Sequence, residues 1–224
     1  VKKGDAWREV DALRRKIKPR ILNRKAYAEG LRYLAASDAD LARIFAELGT
    51  PPEWFRAPEF STLIHIILEQ QVSLASAEAA FKRLLALASP LTPARFLELD
   101  DAELKRAGFS RQKTAYGRHL ARAIMDGELD LEALCELDDA AVKAELLKVK
   151  GIGAWTADIY LLRALGRPDA WPAGDLALLI AVQELKRLAA RPTPSELEVI
   201  AERWRPHRAV AARLLWHYYL QRRA

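Results

Sequence analysis

Helical periodicity, broken at short intervals by caps and stops, is the feature that most constrains this chain. The stretches DADLARIFAEL, FSTLIHIILEQ, SAEAAFKRLLALA, LALLIAVQELKRLA and HRAVAARLLWHYYL each repeat apolar residues three and four positions apart. That spacing is the signature of one buried helix face. Alternating runs that would make strands are nearly absent. Thr193-Pro-Ser-Glu196 has the form of a capping box with proline at the first helical position, and Asp100-Asp-Ala-Glu103 has the same box form. Stops fall at Gly49-Thr-Pro-Pro52, Gly108, Gly127 and Arg167-Pro168. The pattern predicts roughly ten to twelve short helices and an all-α fold class.

At 224 residues, 51% of them hydrophobic, the chain can bury a real core as one large domain or two small ones. No apolar run reaches bilayer length, and the basic, polar N-terminus does not read as a signal peptide. Cys135 is the single cysteine. It excludes an intrachain disulfide framework and a four-cysteine zinc or iron–sulfur site, and it fits a reducing compartment. The chain begins with Val1 and has one methionine, Met125, so a native start ahead of Val1 is expected.

The net charge of +6 is unevenly spread. Residues 1–36, read as a basic helical N-terminal segment, hold eleven Lys or Arg against four Asp or Glu, with a dense run RRKIKPRILNRK at 14–25. The stretch RWRPHRAVAARLLWHYYLQRRA at 203–224 is basic again and carries aromatics. Such surfaces suit a polyanion, because neutralising phosphates releases condensed counterions. A solvated helix face that keeps the protein soluble is the equally weighted alternative. One local echo recurs: LELDDAELKRAGFSRQKTA at 97–115 and CELDDAAVKAELLKVKGIGAWTA at 135–157 both enter on Leu-Asp-Asp-Ala and turn at glycine.

The second copy contains KGIGAWTA, where Gly151 and Gly153 flank Ile152 between two helical patterns. A tight turn there needs positive φ, which glycine adopts freely. The following helix start presents N–H groups and the positive end of its dipole, a site for a phosphate oxygen, with Lys148 and Lys150 beside it. A lone GIG by itself favours an ordinary helical corner. Twenty-four residues after Gly151, Asp175 opens the apolar helix of WPAGDLALLI. Asp is a favoured N-cap there. A carboxylate in that place, near Trp171 and one helix–loop from the turn, also suits chemistry on a nucleotide.

As a set these motifs resemble the helix-hairpin-helix-Gly/Pro-Asp superfamily of DNA glycosylases, in particular its alkylation-repair branch of 3-methyladenine DNA glycosylase II type. The resemblance rests on FSTLIHIILEQQVSLASA at 60–77, LKVKGIGAWTA at 147–157, PAGDLAL at 172–178 and the C-terminal AERWRPHRAVAARLLWHYY. It runs from about Ala39 to the C-terminus. It implies a two-lobed helical domain over 37–224, with a central lobe at about 60–165, a second lobe of N- and C-terminal helices, and a DNA-binding cleft between them. The chain is too short for the β-rich N-terminal domain that some relatives carry.

The resemblance further implies an enzyme that flips a damaged nucleotide from duplex DNA and hydrolyses its glycosidic bond. Asp175 matches the catalytic aspartate. Lys148, Lys150, Gly151, Ile152 and Gly153 match the hairpin that holds the DNA backbone, and Gln71, in the EQQVS turn, matches the gap-filling position; helix C-capping is the other role open to Gln70 and Gln71. Trp155 matches a pocket wall, and Trp171, Trp54, Phe60, Tyr160 and Trp204 are further aromatic candidates for which core packing is the first explanation. A cationic alkylated purine is already a good leaving group, so the enzyme needs a carboxylate facing the sugar, and aromatic faces suit the electron-poor base. Bifunctional relatives carry a lysine where Trp155 stands. Without that amine no Schiff base forms, and a monofunctional glycosylase is expected.

His207 occupies a place where relatives have a pocket tryptophan, either as a polar reader of the base or as a surface residue after Pro206. Ile159 and Leu176 replace aromatics near the site. His65 reads as a packed core histidine, and His119 and His217 belong to no motif. No transition-metal site or other cofactor is expected, although relatives can hold a monovalent cation on the hairpin carbonyls. The expected partner is double-stranded DNA with damaged bases, acted on by a monomer, in the bacterial nucleoid or a eukaryotic nucleus. Two rival readings stay open: a glycosylase for deaminated or oxidised bases, and a non-catalytic helix-hairpin-helix protein.

Overall fold

The computed structural model describes residues 19–223. Half of the basic N-terminal segment, including the start of the 14–25 run, lies outside the described residues. Among the described residues there are twelve α-helices, two short 3₁₀ helices and no strand. The helices are α1 (Arg24–Ser37), α2 (Ala39–Leu48), α3 (Phe60–Glu69), α4 (Leu74–Leu87), α5 (Pro93–Glu98), α6 (Asp101–Ala107), α7 (Arg111–Met125), α8 (Asp139–Leu147), α9 (Ala154–Arg163), α10 (Leu176–Leu185), α11 (Pro194–Ala201) and α12 (Arg208–Gln221). The 3₁₀ helices cover Ala133–Glu136 and Glu202–Trp204.

Side-chain caps explain why the helices are so short. Asn23, Asp38, Ser73, Thr92, Ser110, Asp138 and Asp175 each accept a backbone N–H at a helix start. Asp100 with Glu103, and Thr193 with Glu196, complete reciprocal capping boxes. Each such cap stabilises its helix by about 1 kcal/mol. The two echoing segments share a geometry as well as letters: Gly108 and Gly151 close their turns at φ +105° and +103°.

The chain divides into two compact units. One contains Pro58–Ile152; the other contains Ile21–Ala57 and the chain from Gly153 onward. The division falls within the hairpin, ahead of the boundary near 165 expected from the sequence. In the first unit α3 is buried on almost every side, as expected of an all-round apolar helix. It packs against α4 and α7, while α5 lies against α7. Phe96 is fully buried between Phe60 and Phe109, at ring separations of 5.8 and 5.7 Å. His65 is buried and stacked on Phe81 at 4.2 Å, a packed position.

The second unit is organised on α12, which packs against α10, α2 and α1. Its first nine residues, Arg208 to Trp216, are all buried. Arg213 is fully enclosed and donates to the Glu53, Ala209 and Leu162 carbonyls at 2.7–2.9 Å. Burial pushes its guanidinium down to about 10. Asp38 forms a second buried node. It caps α2, accepts both bonds from Lys186 Nζ at 2.9 Å, and accepts Trp204 Nε1–H at 3.0 Å. Burial pushes the Asp38 carboxyl up, but the bonds from Lys186 and Trp204, the lysine charge and the Leu41 N–H outweigh it and hold it below the usual carboxylate range.

Candidate active site

Local sequence builds the hairpin from the end of α8. The backbone tightens there, with Lys148 and Val149 N–H donating three residues back, and Ile152 N–H donating to Val149 O at 3.0 Å. Gly151 sits at φ +103°, and a Cβ at that position would lie 2.5 Å from Tyr116 Cβ and Cδ1. Two separate requirements therefore demand glycine: backbone sign and space. Gly153 differs. It caps α9 at φ −97°, ψ 179°, a conformation open to any residue, and nothing lies within 4 Å of its missing Cβ. Both Gly153 and Ala154 are exposed, and the opening turn of α9 has no side-chain cap. An exposed helix start of this kind presents N–H donors and positive dipole to an anion. Lys150 is exposed beside it, while Lys148 is exposed and paired with Glu145 at 2.6 Å.

The corner after α3 separates the two glutamines. Gln70 Nε2 donates to Gly151 O at 3.0 Å, tying that corner to the hairpin. Gln71 is exposed on left-handed backbone at φ +57°, a conformation that costs a non-glycine residue about 1–3 kcal/mol and clusters at functional sites.

Asp175 is buried, 8% exposed, at the start of α10. Its Oδ1 accepts Leu178 N–H at 3.0 Å, so it is the expected N-cap. It is also more than a cap. Trp155 Nε1–H donates to Oδ2 at 2.9 Å and Trp216 Nε1–H donates to Oδ1 at 3.0 Å. The carboxylate thus joins the starts of α9 and α10 to α12, within one unit. Trp54, half-buried at φ +49°, lies edge-on to Trp216 at 6.3 Å and 78°. Arg163 stands over the other indole contact surface, 5.1 Å from the Trp216 centroid.

The remaining aromatic candidates sort by packing. Phe60 is 5% exposed in the core of the first unit. Trp171 is 4% exposed and packs on fully buried Trp204 at 5.5 Å, so both are core residues of the second unit. Tyr160 and Ile159 are fully buried in α9. His207 precedes α12 and lies 5.0 Å from the Tyr33 ring, close against Gly30 of α1. Leu176, next to Asp175, is exposed. Trp216 belongs to no motif that marks it as a site residue. Its one sequence signal is an aromatic within the buried run of the C-terminal helix.

The C-terminal basic stretch is in part internal and in part paired. Arg208 and Arg213 are buried. Arg205 and Arg208 are paired with Asp169, Glu198 and Glu202, and Arg222 and Arg223 with Glu184. Two of these arginines are therefore internal, and Arg205, Arg222 and Arg223 are exposed but paired with carboxylates. Among the described residues no group of three or more His, Cys, Asp or Glu side chains could hold a metal ion. At the hairpin, the Val149 and Gly151 carbonyls already accept protein N–H groups. A monovalent cation there would use their second lone pairs or neighbouring carbonyls.

Comparison with known proteins places these features in a family. The sequence profile of HhH-GPD superfamily base excision DNA repair proteins matches residues 64–206. A DNA-3-methyladenine glycosylase of Bacillus subtilis is 32% identical over 123 residues, covering 55% of this chain and 40% of the relative. An alkylbase DNA glycosidase-like protein of Schizosaccharomyces pombe is 27% identical over 85% of this chain and 92% of its own length. The structure of an S. pombe 3-methyladenine DNA glycosylase in complex with abasic DNA superposes with a TM-score of 0.79 at 27% identity, covering 84% of this chain and 95% of that one. The chain spans 40–66% of the length of several bacterial relatives. Since that profile matches more than half of its residues, the chain belongs to the HhH-GPD superfamily of base excision DNA repair proteins.

Proposed function

We propose that this protein is a monofunctional DNA glycosylase that removes alkylated purines of the 3-methyladenine kind. The observation that carries the reading is the Asp175 carboxylate, buried and held by two indole N–H groups at a helix start, with Trp155 flanking it. Its chemistry follows from the leaving group. An N3- or N7-alkylated purine is cationic, so when the C1′–N bond breaks the base takes the bonding pair and leaves neutral. The sugar develops oxocarbenium character, which a fixed carboxylate stabilises better than reorganising water. Water then adds to C1′, and its proton passes to Asp175 or solvent. The product is an abasic site.

Other parts serve access. The α9 start and the exposed glycine at 153 hold one DNA phosphate, with Lys150 adding charge. Gln71, exposed on strained backbone, fills the gap left by the flipped nucleotide, while Gln70 is engaged at Gly151. Trp155 and Trp54 provide aromatic faces for the base. Trp155 stands in place of an amine, so no Schiff base forms. A monovalent cation on the hairpin carbonyls would add charge facing the phosphate. The protein acts as a monomer on damaged duplex DNA, in the nucleoid or nucleus.

The test is release of free base from methylated duplex under single-turnover conditions by wild type and Asp175→Asn. Loss of at least about 100-fold in the variant, with duplex binding kept, is expected for removal of a main charge-stabilising group. Equal release by both proteins would reduce Asp175 to a cap. Borohydride should trap no covalent adduct, and a lesion panel should rank methylated purines above deaminated and oxidised bases.

A further inference from the structure

We infer that Trp216 is the positioning residue for Asp175, selecting which carboxylate oxygen works on the sugar; this rests on the reading of Asp175 given above. A carboxylate offers about four acceptor positions, two per oxygen. Oδ1 receives two donors, Leu178 N–H at 3.0 Å and Trp216 Nε1–H at 3.0 Å. Oδ2 receives one, Trp155 Nε1–H at 2.9 Å. The open position is on Oδ2. Without Trp216 each oxygen would keep one donor, Leu178 N–H on Oδ1 and Trp155 Nε1–H on Oδ2, and the two could exchange by rotation about the terminal bond with the same number of bonds. With Trp216 the second donor on Oδ1 makes the two oxygens inequivalent and leaves Oδ2 as the one with room for a further partner.

The indole is itself held by its surroundings. Trp216 is 6% exposed, Trp54 meets it edge-on at 6.3 Å, and Arg163 lies 5.1 Å from its centroid. One helical turn earlier, Arg213 binds the carbonyls of Glu53 and Leu162, so α12 cannot rotate without losing bonds to the Trp54 segment and to α9. Trp54 keeps a left-handed backbone, φ +49°, which is strained for an aromatic residue and marks a place fixed by its surroundings. Trp54, Trp216 and Asp175 form a connected series from a candidate base wall to the carboxylate.

The experiment compares wild type, Trp216→Phe, Asp175→Asn and the double variant. Phenylalanine keeps a ring between Trp54 and Arg163 and removes only the N–H and part of the indole. Three quantities are measured: single-turnover base release from methylated duplex, affinity for a duplex containing a stable abasic analogue, and thermal unfolding. Trp216→Phe should slow release about 10- to 100-fold, the cost of a slightly misplaced reacting group, with affinity unchanged. In the Asp175→Asn background the same substitution should change the rate less than about threefold, because a group acting through Asp175 has nothing left to act on. An unchanged rate in Trp216→Phe, or equal fold losses in both backgrounds, overturns the inference. Equal rates in wild type and Asp175→Asn instead defeat the reading of Asp175 itself. A measurement independent of the Trp216 variant uses ¹⁵N-indole spectra. The Trp216 Nε1–H should exchange slowly in wild type and shift in Asp175→Asn; an indole that exchanges freely and ignores that change refutes the positioning role even if Trp216→Phe does not fold.

Discussion

Gly151 and Gly153 look alike in sequence, yet alanine should affect them in opposite ways. At Gly151, φ +103° costs a residue with a Cβ about 1–2 kcal/mol. That Cβ would also sit 2.5 Å from Tyr116 Cβ and Cδ1, and forcing a carbon into a filled site costs about 1–3 kcal/mol. Gly151→Ala should therefore lose about 2–5 kcal/mol, against a total stability of about 5–15 kcal/mol for a domain. Gly153→Ala meets neither cost, since φ is −97° and its Cβ faces open space; its stability should match wild type. Its effect should appear on DNA. If the α9 start holds a phosphate, a methyl group there weakens one charge-assisted hydrogen bond of about 1.5–3 kcal/mol, roughly a tenfold or greater loss of duplex affinity. Urea unfolding by far-ultraviolet circular dichroism covers both units. Tryptophan fluorescence, read in a Trp7→Phe background, reports on the second, because all five tryptophans among the described residues lie there. Wild-type stability in Gly151→Ala would refute the steric argument. Unchanged DNA affinity in Gly153→Ala would refute the phosphate assignment.

Asp38 gives a pH prediction. Its folded carboxyl is held below the usual range, so its contribution is present above the unfolded value of about 3.9 and is lost as pH falls through the folded value. Asp38→Asn should cost about 2–3 kcal/mol near neutrality, less than a fully buried pair because Lys186 retains Asp40 at 2.8 Å, and the gap to wild type should close below about pH 4. Tryptophan fluorescence in acid titrations, reporting from Trp204 beside the node, checks this; a gap independent of pH would remove the charge from the explanation. Arg213→Met fills the same space but leaves the Glu53 and Leu162 carbonyls unpaired, and should cost about 2–4 kcal/mol in urea. A neutral result would mean water replaces the guanidinium.

What the sequence made legible was local, and what it hid was partnership across long stretches of chain. The boxes at Asp100–Glu103 and Thr193–Glu196 could be read because both members lie within one helical turn. Asp175 could be read as a cap for the same reason. Its indole partners stand 20 and 41 residues away, and no spacing rule announces a bond across that distance. The aromatic candidates were ambiguous because residue type reports bulk and not address: Trp171 and Phe60 are packed in separate cores, whereas Trp54 stands on strained backbone against Trp216. Charge misled in the C-terminal helix for a related reason. Arg208 and Arg213 count toward a basic surface in any tally of letters, yet both are buried and bonded within the fold. A buried arginine has no local signature except the apolar run around it, and AVAARLLW supplies that run. On the proposed reading, part of the charge that faces DNA comes from exposed Lys150 and the backbone N–H groups of α9, which carry no letter in a sequence at all.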